Sequence, residues 1–360
     1  MASAADGLSH RPARGGARAG GYPPSSILTR KAFLNAIRVN SAIGGSTNAQ
    51  PHLMAMAKHA GVELEPEDWQ VHGYDIPLLA DVQPAGRFLG ERFHRAGGVP
   101  AIMRELLDAG KLDGDCPTVT GRSMAENLEG RGPATARSSA LWRTAEGAGG
   151  LPRPEGQSLR LRHHEDLGHL AGIPRALPER AGPRGHLRGR AVVFDGSEDY
   201  HRRINDPALG IDERTILVIR GAGPLGWPGS AEVVNMQPPD HLLKRGITSL
   251  PTIGDGRQSG TADSPSILNA SPESAAGGGL AFLRTGDVIR IDLTQGRCDM
   301  LVEAAEIERR KADGIPPVPA DATPWQRIYR RTVTQLSDGA VIDGAADFRG
   351  IAETPPRHNH

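Results

Sequence analysis

Residues 215–229 read Thr215-Ile216-Leu217-Val218-Ile219-Arg220-Gly221-Ala222-Gly223-Pro224-Leu225-Gly226-Trp227-Pro228-Gly229. The first six form an apolar, β-branched run that predicts a buried strand, and the glycine- and proline-rich remainder predicts a tight loop at its end. Gly221, Gly223 and Gly226 stand at the first, third and sixth positions of the dinucleotide-binding fingerprint. That fingerprint works where a helix N-terminus follows the turn and meets a pyrophosphate. Pro224 and Pro228 interrupt the place where such a helix would begin. The residues therefore favour a glycine turn that lets the backbone pass close to another group. A nucleotide-binding oxidoreductase using residues 221–226 is the alternative.

Outward from this loop the sequence divides into two kinds of chain. Residues 191–194, 287–293 and 298–302 are further short β-branched runs separated by Gly, Pro and Asp, and the last two read as a hairpin with one wet face. Residues 304–312 predict a helix, and Thr323-Pro324 starts another containing Trp325 and Ile328. Upstream the pattern is helical. Thr29 caps a helix to about residue 40, with Phe33, Ala36 and Ile37 on one face. A second spans about 48–60 and stops at Gly61, a third runs from Pro100 to Gly110, and Ser123 with Glu126 has capping-box spacing for a fourth.

Two stretches break this order. Residues 1–24 hold no Val, Ile or Phe, and residues 131–190 hold eleven Arg, no Lys and one β-branched aliphatic, Ile173, so neither can supply buried strands. Across the 360 residues, 42 Lys+Arg balance 42 Asp+Glu, which removes any argument from bulk charge for nucleic acid or an anionic membrane. No run approaches a membrane span. Two cysteines, Cys116 and Cys298, are too few for a disulfide scaffold and suit a reducing compartment, so a soluble cytoplasmic protein is expected. His163-His164 and His358-Asn359-His360 lack metal-ligand spacing.

Several loops carry candidate chemistry. Glu232, after the glycine loop, reads either as a carboxylate at a helix N-terminus or as an oxygen ligand for a hard cation. In Gly254-Asp255-Gly256-Arg257-Gln258-Ser259-Gly260-Thr261, small neighbours expose the Ser259 hydroxyl, which acts as a base only beside a partner base or a cation. Taken in isolation, the octapeptide reads as a surface turn rich in turn formers. Gly44-Gly45-Ser46-Thr47-Asn48 either caps a helix or offers N–H groups to an anion; Ser46, Thr47, Asn48, Arg257 and Thr261 make up the candidate substrate or anion loop.

Taken in order, the loops form a set. Ser41-Ala42-Ile43-Gly44-Gly45-Ser46-Thr47-Asn48-Ala49, Pro77-Leu78-Leu79-Ala80-Asp81-Val82-Gln83-Pro84-Ala85-Gly86, Ala96-Gly97-Gly98-Val99-Pro100-Ala101 and Gly189-Arg190-Ala191-Val192-Val193-Phe194-Asp195-Gly196 precede residues 221–236. Residues 254–261, Ser264-Pro265-Ser266-Ile267-Leu268-Asn269-Ala270-Ser271-Pro272-Glu273 and Gly277-Gly278-Gly279-Leu280-Ala281 follow. The set resembles the dihydroxy-acid dehydratase and phosphogluconate dehydratase family, and the Gly-Arg-Gln-Ser-Gly and Pro-Ser-Ile-Leu-Asn-Ala-Ser runs resemble most its L-arabinonate (pentonate) branch.

The resemblance covers about 25–130 and 187–360. It implies a hydro-lyase that turns a sugar acid such as L-arabinonate into a 2-keto-3-deoxy acid with an iron–sulfur cluster and Mg2+, in subunits that assemble as dimers or tetramers. It matches Ser259 to the alkoxide base and Glu232 to a magnesium ligand. It also implies an α/β fragment of the N-terminal dehydratase domain (25–130) followed by a β-barrel-like (β/β/α) C-terminal domain (187–345). Residues 1–24 and 131–186 are then abnormal or poorly ordered, and 346–360 a tail. The family's cluster cysteines and two further magnesium ligands lie upstream of anything matched here, so the chain is expected to be truncated and its activity impaired. A fragment that docks on an intact relative is a further reading. Where the family has Thr-Ser-Gly, this chain has Thr261-Ala262-Asp263, which puts a charge beside the matched base.

Residues 157–170, back-translated with ordinary codons and shifted by one base, give Asn-Leu-Phe-Asp-Ser-Ala-Ile-Met-Lys-Thr-Ser-Val-Ile, which resembles the family at that point. Frameshifts between about 131 and 187 and within 1–24 are therefore expected. Sequencing the gene should reveal an alternative frame that encodes the family segment; a gene with no such frame contradicts the expectation.

Overall fold

The computed structural model describes residues 23–83, 86–132, 169–171, 186–234, 236–259, 266–292 and 297–347. The first half is a helical layer. Helix Arg30–Ile43 begins where Thr29 Oγ1 accepts from the Ala32 N–H and ends at Gly44, whose φ of 62° is the left-handed geometry that glycine adopts without strain. Phe33 and Ile37, one helical turn apart, pack with Met54, Ala57, Leu64 and Trp69, while Ala42 joins a second cluster around Ile102 and Leu106. Each large side chain buried this way contributes about 1.5–3 kcal/mol. Helix Ala49–Ala60 stops at Gly61, and Ser123 and Glu126 form the expected capping box. Helix Gly98–Asp108 starts two residues before Pro100, because a proline in the first turn removes only an N–H that has no intrahelical acceptor.

The second half is built on a seven-stranded mixed sheet in the order β1-β7-β5-β3-β2-β8-β9. Its strands are β1 (His169–Ala171), β2 (His186–Asp195), β3 (Thr215–Arg220), β5 (Thr252–Gly254), β7 (Ser266–Ser271), β8 (Val288–Asp292) and β9 (Arg297–Met300). β4 (Val233–Val234) and β6 (Gln258–Ser259) form a separate parallel pair. The four central strands, β7, β5, β3 and β2, run parallel, and β8 and β9 add the antiparallel hairpin read from the sequence.

Alternation along β3 explains why it is apolar throughout. Ile216 and Val218 face one core with Val193, Ile253 and Ile291, while Leu217 and Ile219 face another with Phe194, Met236 and Leu250. A core on each face describes an open, two-sided α/β sheet. The barrel-like expectation is met only in the mixed strands: β1 and β9 are edges, and no pairing joins them among the described residues. His169–Ala171 forms a three-residue edge strand against β7, which needs backbone hydrogen bonds and not β-branched side chains; residues 133–168 and 172–185 of the expected abnormal stretch lie outside the described residues.

Helix Ala304–Ala312 is pinned to the sheet by Arg310, 8% exposed, whose Nη1 and Nη2 donate to Asp287 at 2.6 and 3.0 Å; Nη1 also donates to the Phe282 carbonyl. Removing one partner of such a pair leaves the other charge buried. Arg310→Met should therefore lower the urea-unfolding free energy by about 3–5 kcal/mol; a loss below 1 kcal/mol would contradict this role.

Candidate functional site

β3 and β5 are parallel neighbours, so the loops after Arg220 and Gly254 emerge at the same edge of the sheet, where parallel sheets place their ligands. Two of the protein's own carboxylates fill the glycine loop. Asp255 accepts from the Gly221 and Ala222 N–H groups at 3.0 and 2.9 Å, and Glu273 accepts from Leu225 and Gly226 at 2.8 Å each. Ser274 donates to Asp255 through its N–H and its hydroxyl, and Gln335 donates to Glu273.

Both acids are fully buried. A Cβ on Gly223 would lie 2.6 Å from Glu273 Oε2, which is the close approach that requires glycine there. No helix follows, and the next regular element is β4. The nucleotide-binding alternative is thus not favoured: the amides that would hold a pyrophosphate already hold carboxylates.

The locked loop delivers the chain to Glu232. Arg257 donates from Nε and Nη2 to the Ser230 carbonyl at 2.9 and 2.6 Å, tying the approach to β4 to the approach to β6. The parallel β4–β6 pair sets Val233 opposite Gln258 and Val234 opposite Ser259. Glu232, immediately before β4, is the half-exposed carboxylate of this junction; a strand follows it, which corrects the helix N-terminus reading. Its Oε1 accepts from Asn48 Nδ2 at 2.6 Å and lies 4.0 Å from Arg257 Nη1.

Three candidate residues from distant parts of the chain, Asn48, Glu232 and Arg257, are therefore brought together. The backbone of Ser259 joins them through β6; its side chain, and all of Thr261 and Asp263, lie outside the described residues. Ser46 Oγ accepts from the Asn48 N–H, and the Ser46 and Thr47 carbonyls accept from Ala49 and Gln50, so this turn starts a helix and aims Asn48 across the interface. No contact of the Ser46 or Thr47 side chains with Glu232 exists among the described residues.

Sequence reasoning passed over Asp255 and Glu273, although both lie inside quoted motifs; an acid between two glycines and an acid after Ser-Pro were the available signals. It also passed over Gln258 and Asn269, buried amides whose oxygen and nitrogen have no hydrogen-bond partner among the described residues.

The donor set treats the two implied cofactors differently. Cys116 and Cys298 are both buried, and burial pushes both thiols up, away from the thiolate that cluster ligation needs. These residues do not fit an iron–sulfur cluster. Glu232 fits as one oxygen ligand for a hard cation, since no described residue engages its Oε2. Among the described residues no group of three or more His, Cys, Asp or Glu is placed to hold a metal ion. His163, His164, His358 and His360 lie outside those residues. A groove of about 450 Å³ in the helical layer, lined by Ala32, Val39, Ile43, Leu53 and Met103, is too apolar for a polyhydroxy acid. No helix among the described residues is long and apolar enough to cross a membrane.

Comparison with known proteins gives two family matches: the dihydroxy-acid/6-phosphogluconate dehydratase N-terminal model at residues 15–127 and the corresponding C-terminal model at 178–340. The chain is 59% identical over 359 residues to D-xylonate dehydratase of Caulobacter vibrioides, with 94% of this chain and 57% of the relative covered. It is 41% identical over 350 residues to L-arabonate dehydratase of Azospirillum brasilense, covering 93% of this chain and 57% of that protein. Against dihydroxy-acid dehydratase of Acidothermus cellulolyticus the figures are 38% identity, 89% and 55%. The chain thus spans little more than half the length of these relatives.

The carboxylate-filled loop is directly testable. Asp255→Asn and Glu273→Gln each set an NH2 group against a buried N–H, and each should cost about 1–3 kcal/mol by urea unfolding. Burial holds the Glu273 carboxyl above its ordinary 4.5, so the folded chain keeps this proton where the unfolded chain releases it. That contribution is full below 4.5 and is lost as pH rises through the raised value. Glu273→Gln should flatten this fall, and a pH profile unchanged from wild type would count against the assignment.

Proposed function

We propose that this chain, which belongs to the dihydroxy-acid/6-phosphogluconate dehydratase family, supplies the proton-abstracting side of a hydro-lyase acting on a sugar acid of the D-xylonate and L-arabinonate class. The observation that carries the reading is the β4–β6 pairing, which sets Val234 opposite Ser259 with Glu232 two residues upstream. The family matches and the names of the relatives support the same chemistry.

In this reading Glu232 would hold Mg2+ through an oxygen, and the cation when bound would supply positive charge that lowers the pKa of a neighbouring hydroxyl. Ser259 as alkoxide takes the C2 proton of a 2,3-dihydroxy acid. The C2–H electron pair becomes the C2–C3 double bond, the C3 hydroxyl leaves, and the enol tautomerises to the 2-keto-3-deoxy acid. Arg257, anchored on the Ser230 carbonyl just before β6, places a positive charge beside the carboxylate end of the site. No described residue activates the departing C3 hydroxyl. The isolated chain is accordingly proposed to bind the sugar acid but not to turn it over, and to work in the cytoplasm, where its two thiols stay reduced.

A chimera tests this. Residues 187–347 placed in the corresponding region of the Caulobacter vibrioides D-xylonate dehydratase should yield an enzyme that releases a 2-keto-3-deoxy acid, and Ser259→Ala within the graft should lower kcat about 10²–10⁴-fold. A folded chimera that is inactive, or one indifferent to Ser259→Ala, would overturn the proposal. Turnover by the purified 360-residue chain would contradict the inactivity claim.

A further inference from the structure

Asn48 stands at the residue before helix Ala49–Ala60, where asparagine is among the best capping residues, yet its side chain makes no cap. Its Nδ2 instead donates to Glu232 Oε1, at 2.6 Å and across 184 residues of sequence. The other end of the same amide, Oδ1, is buried and has no hydrogen-bond partner among the described residues. An asparagine that forgoes a cap and leaves a buried acceptor unpaired gives up stability twice. Both losses fall beside Glu232, the carboxylate that the β4–β6 junction exposes among the described residues.

Arg257 approaches the same oxygen from the other side. Two of its nitrogens are committed to the Ser230 carbonyl, so its Nη1 stays 4.0 Å from Glu232 Oε1 and does not close on it. The hydrogen bond from Asn48 and the nearest positive charge thus both lie at Oε1, and Oε2 has no partner among the described residues. A carboxylate with one oxygen fixed and the other open is oriented to give a hard cation a single oxygen, the mode in which Mg2+ keeps most of its water.

We infer that Asn48 is a positioning residue for Glu232: it holds Oε1 so that Oε2 is presented to a divalent cation, and its free Oδ1 accepts from a hydroxyl or water brought with that cation. This rests on the proposed role of Glu232 as a cation ligand. It adds that the helical half of the chain takes part in the site through one amide.

The test uses the full 360-residue chain, with Mn2+ as the probe followed by electron paramagnetic resonance. Asn48→Ala should weaken Mn2+ binding about tenfold, the size expected when a partner of a metal ligand is removed. Asn48→Gln, which keeps an N–H donor, should restore part of it, and Glu232→Gln should abolish it. Because Asn48 caps nothing, Asn48→Ala should leave unfolding by urea close to wild type. Without added cation, amide exchange at residues 230–234 should quicken at least several-fold in Asn48→Ala.

Loss of binding in Glu232→Gln with full binding in Asn48→Ala would overturn the positioning role and leave the Glu232 reading standing. Wild-type chain that binds no Mn2+, or binding untouched by Glu232→Gln, would overturn the Glu232 reading and this inference with it. Unchanged exchange at 230–234 would show that Asn48 does not order Glu232.

Discussion

Two carboxylates buried against backbone N–H groups carry the architecture of the site. Asp255 and Glu273 reach the glycine loop from two different segments and take up four of its amides, at Gly221, Ala222, Leu225 and Gly226. An unpaired N–H in that position costs about 1–3 kcal/mol, so the loop has one economical path and follows it. Everything downstream depends on that path. Met236 reaches the core beneath it, Ser230 presents its carbonyl to Arg257, and β4 meets β6 in the register that sets Val234 opposite Ser259. The loop resembles a phosphate cradle because the physics is the same, with a carboxylate from the chain in place of a phosphate.

This arrangement separates rigidity from chemistry. The acids that hold the loop are sealed from water, whereas Glu232, the acid proposed as a cation ligand, is half-exposed and tied by one oxygen. A carboxylate stabilised on all sides would be a poor ligand, and a free one would be poorly aimed. The bond from Asn48 lies between these limits, and it makes the helical layer a structural member of a site otherwise built on the sheet.

What the sequence disclosed follows from how local each signal is. Helix Arg30–Ile43, strand β3, helix Ala304–Ala312 and the β8–β9 hairpin were legible because caps, β-branched runs and turn residues lie within a few positions of one another. β7 was not legible as a strand: Ser266-Ile267-Leu268-Asn269-Ala270-Ser271 is half polar, and the buried Ser266 hydroxyl accepts from Thr252 Oγ1 on the neighbouring strand, a partner that local sequence does not show. Gly221, Gly223 and Gly226 suggested a nucleotide loop because glycine spacing records close approach without recording what approaches. Glu232 and Ser259 were singled out by type and by family likeness, yet nothing local links Asn48 to Glu232. That contact exists only once the two halves of the chain have packed.

The central claim is that Glu232, held by Asn48 beside the β4–β6 pair, faces a divalent ion next to the hydroxyl of Ser259. Crystals of the chain soaked with Mn2+ and measured at the manganese absorption edge address it most directly. The account predicts an anomalous peak about 2–2.6 Å from a Glu232 oxygen, on the side of Ser259 and with the Asn48 contact intact. Manganese bound elsewhere, with Glu232 bare and turned away from Ser259, would contradict it.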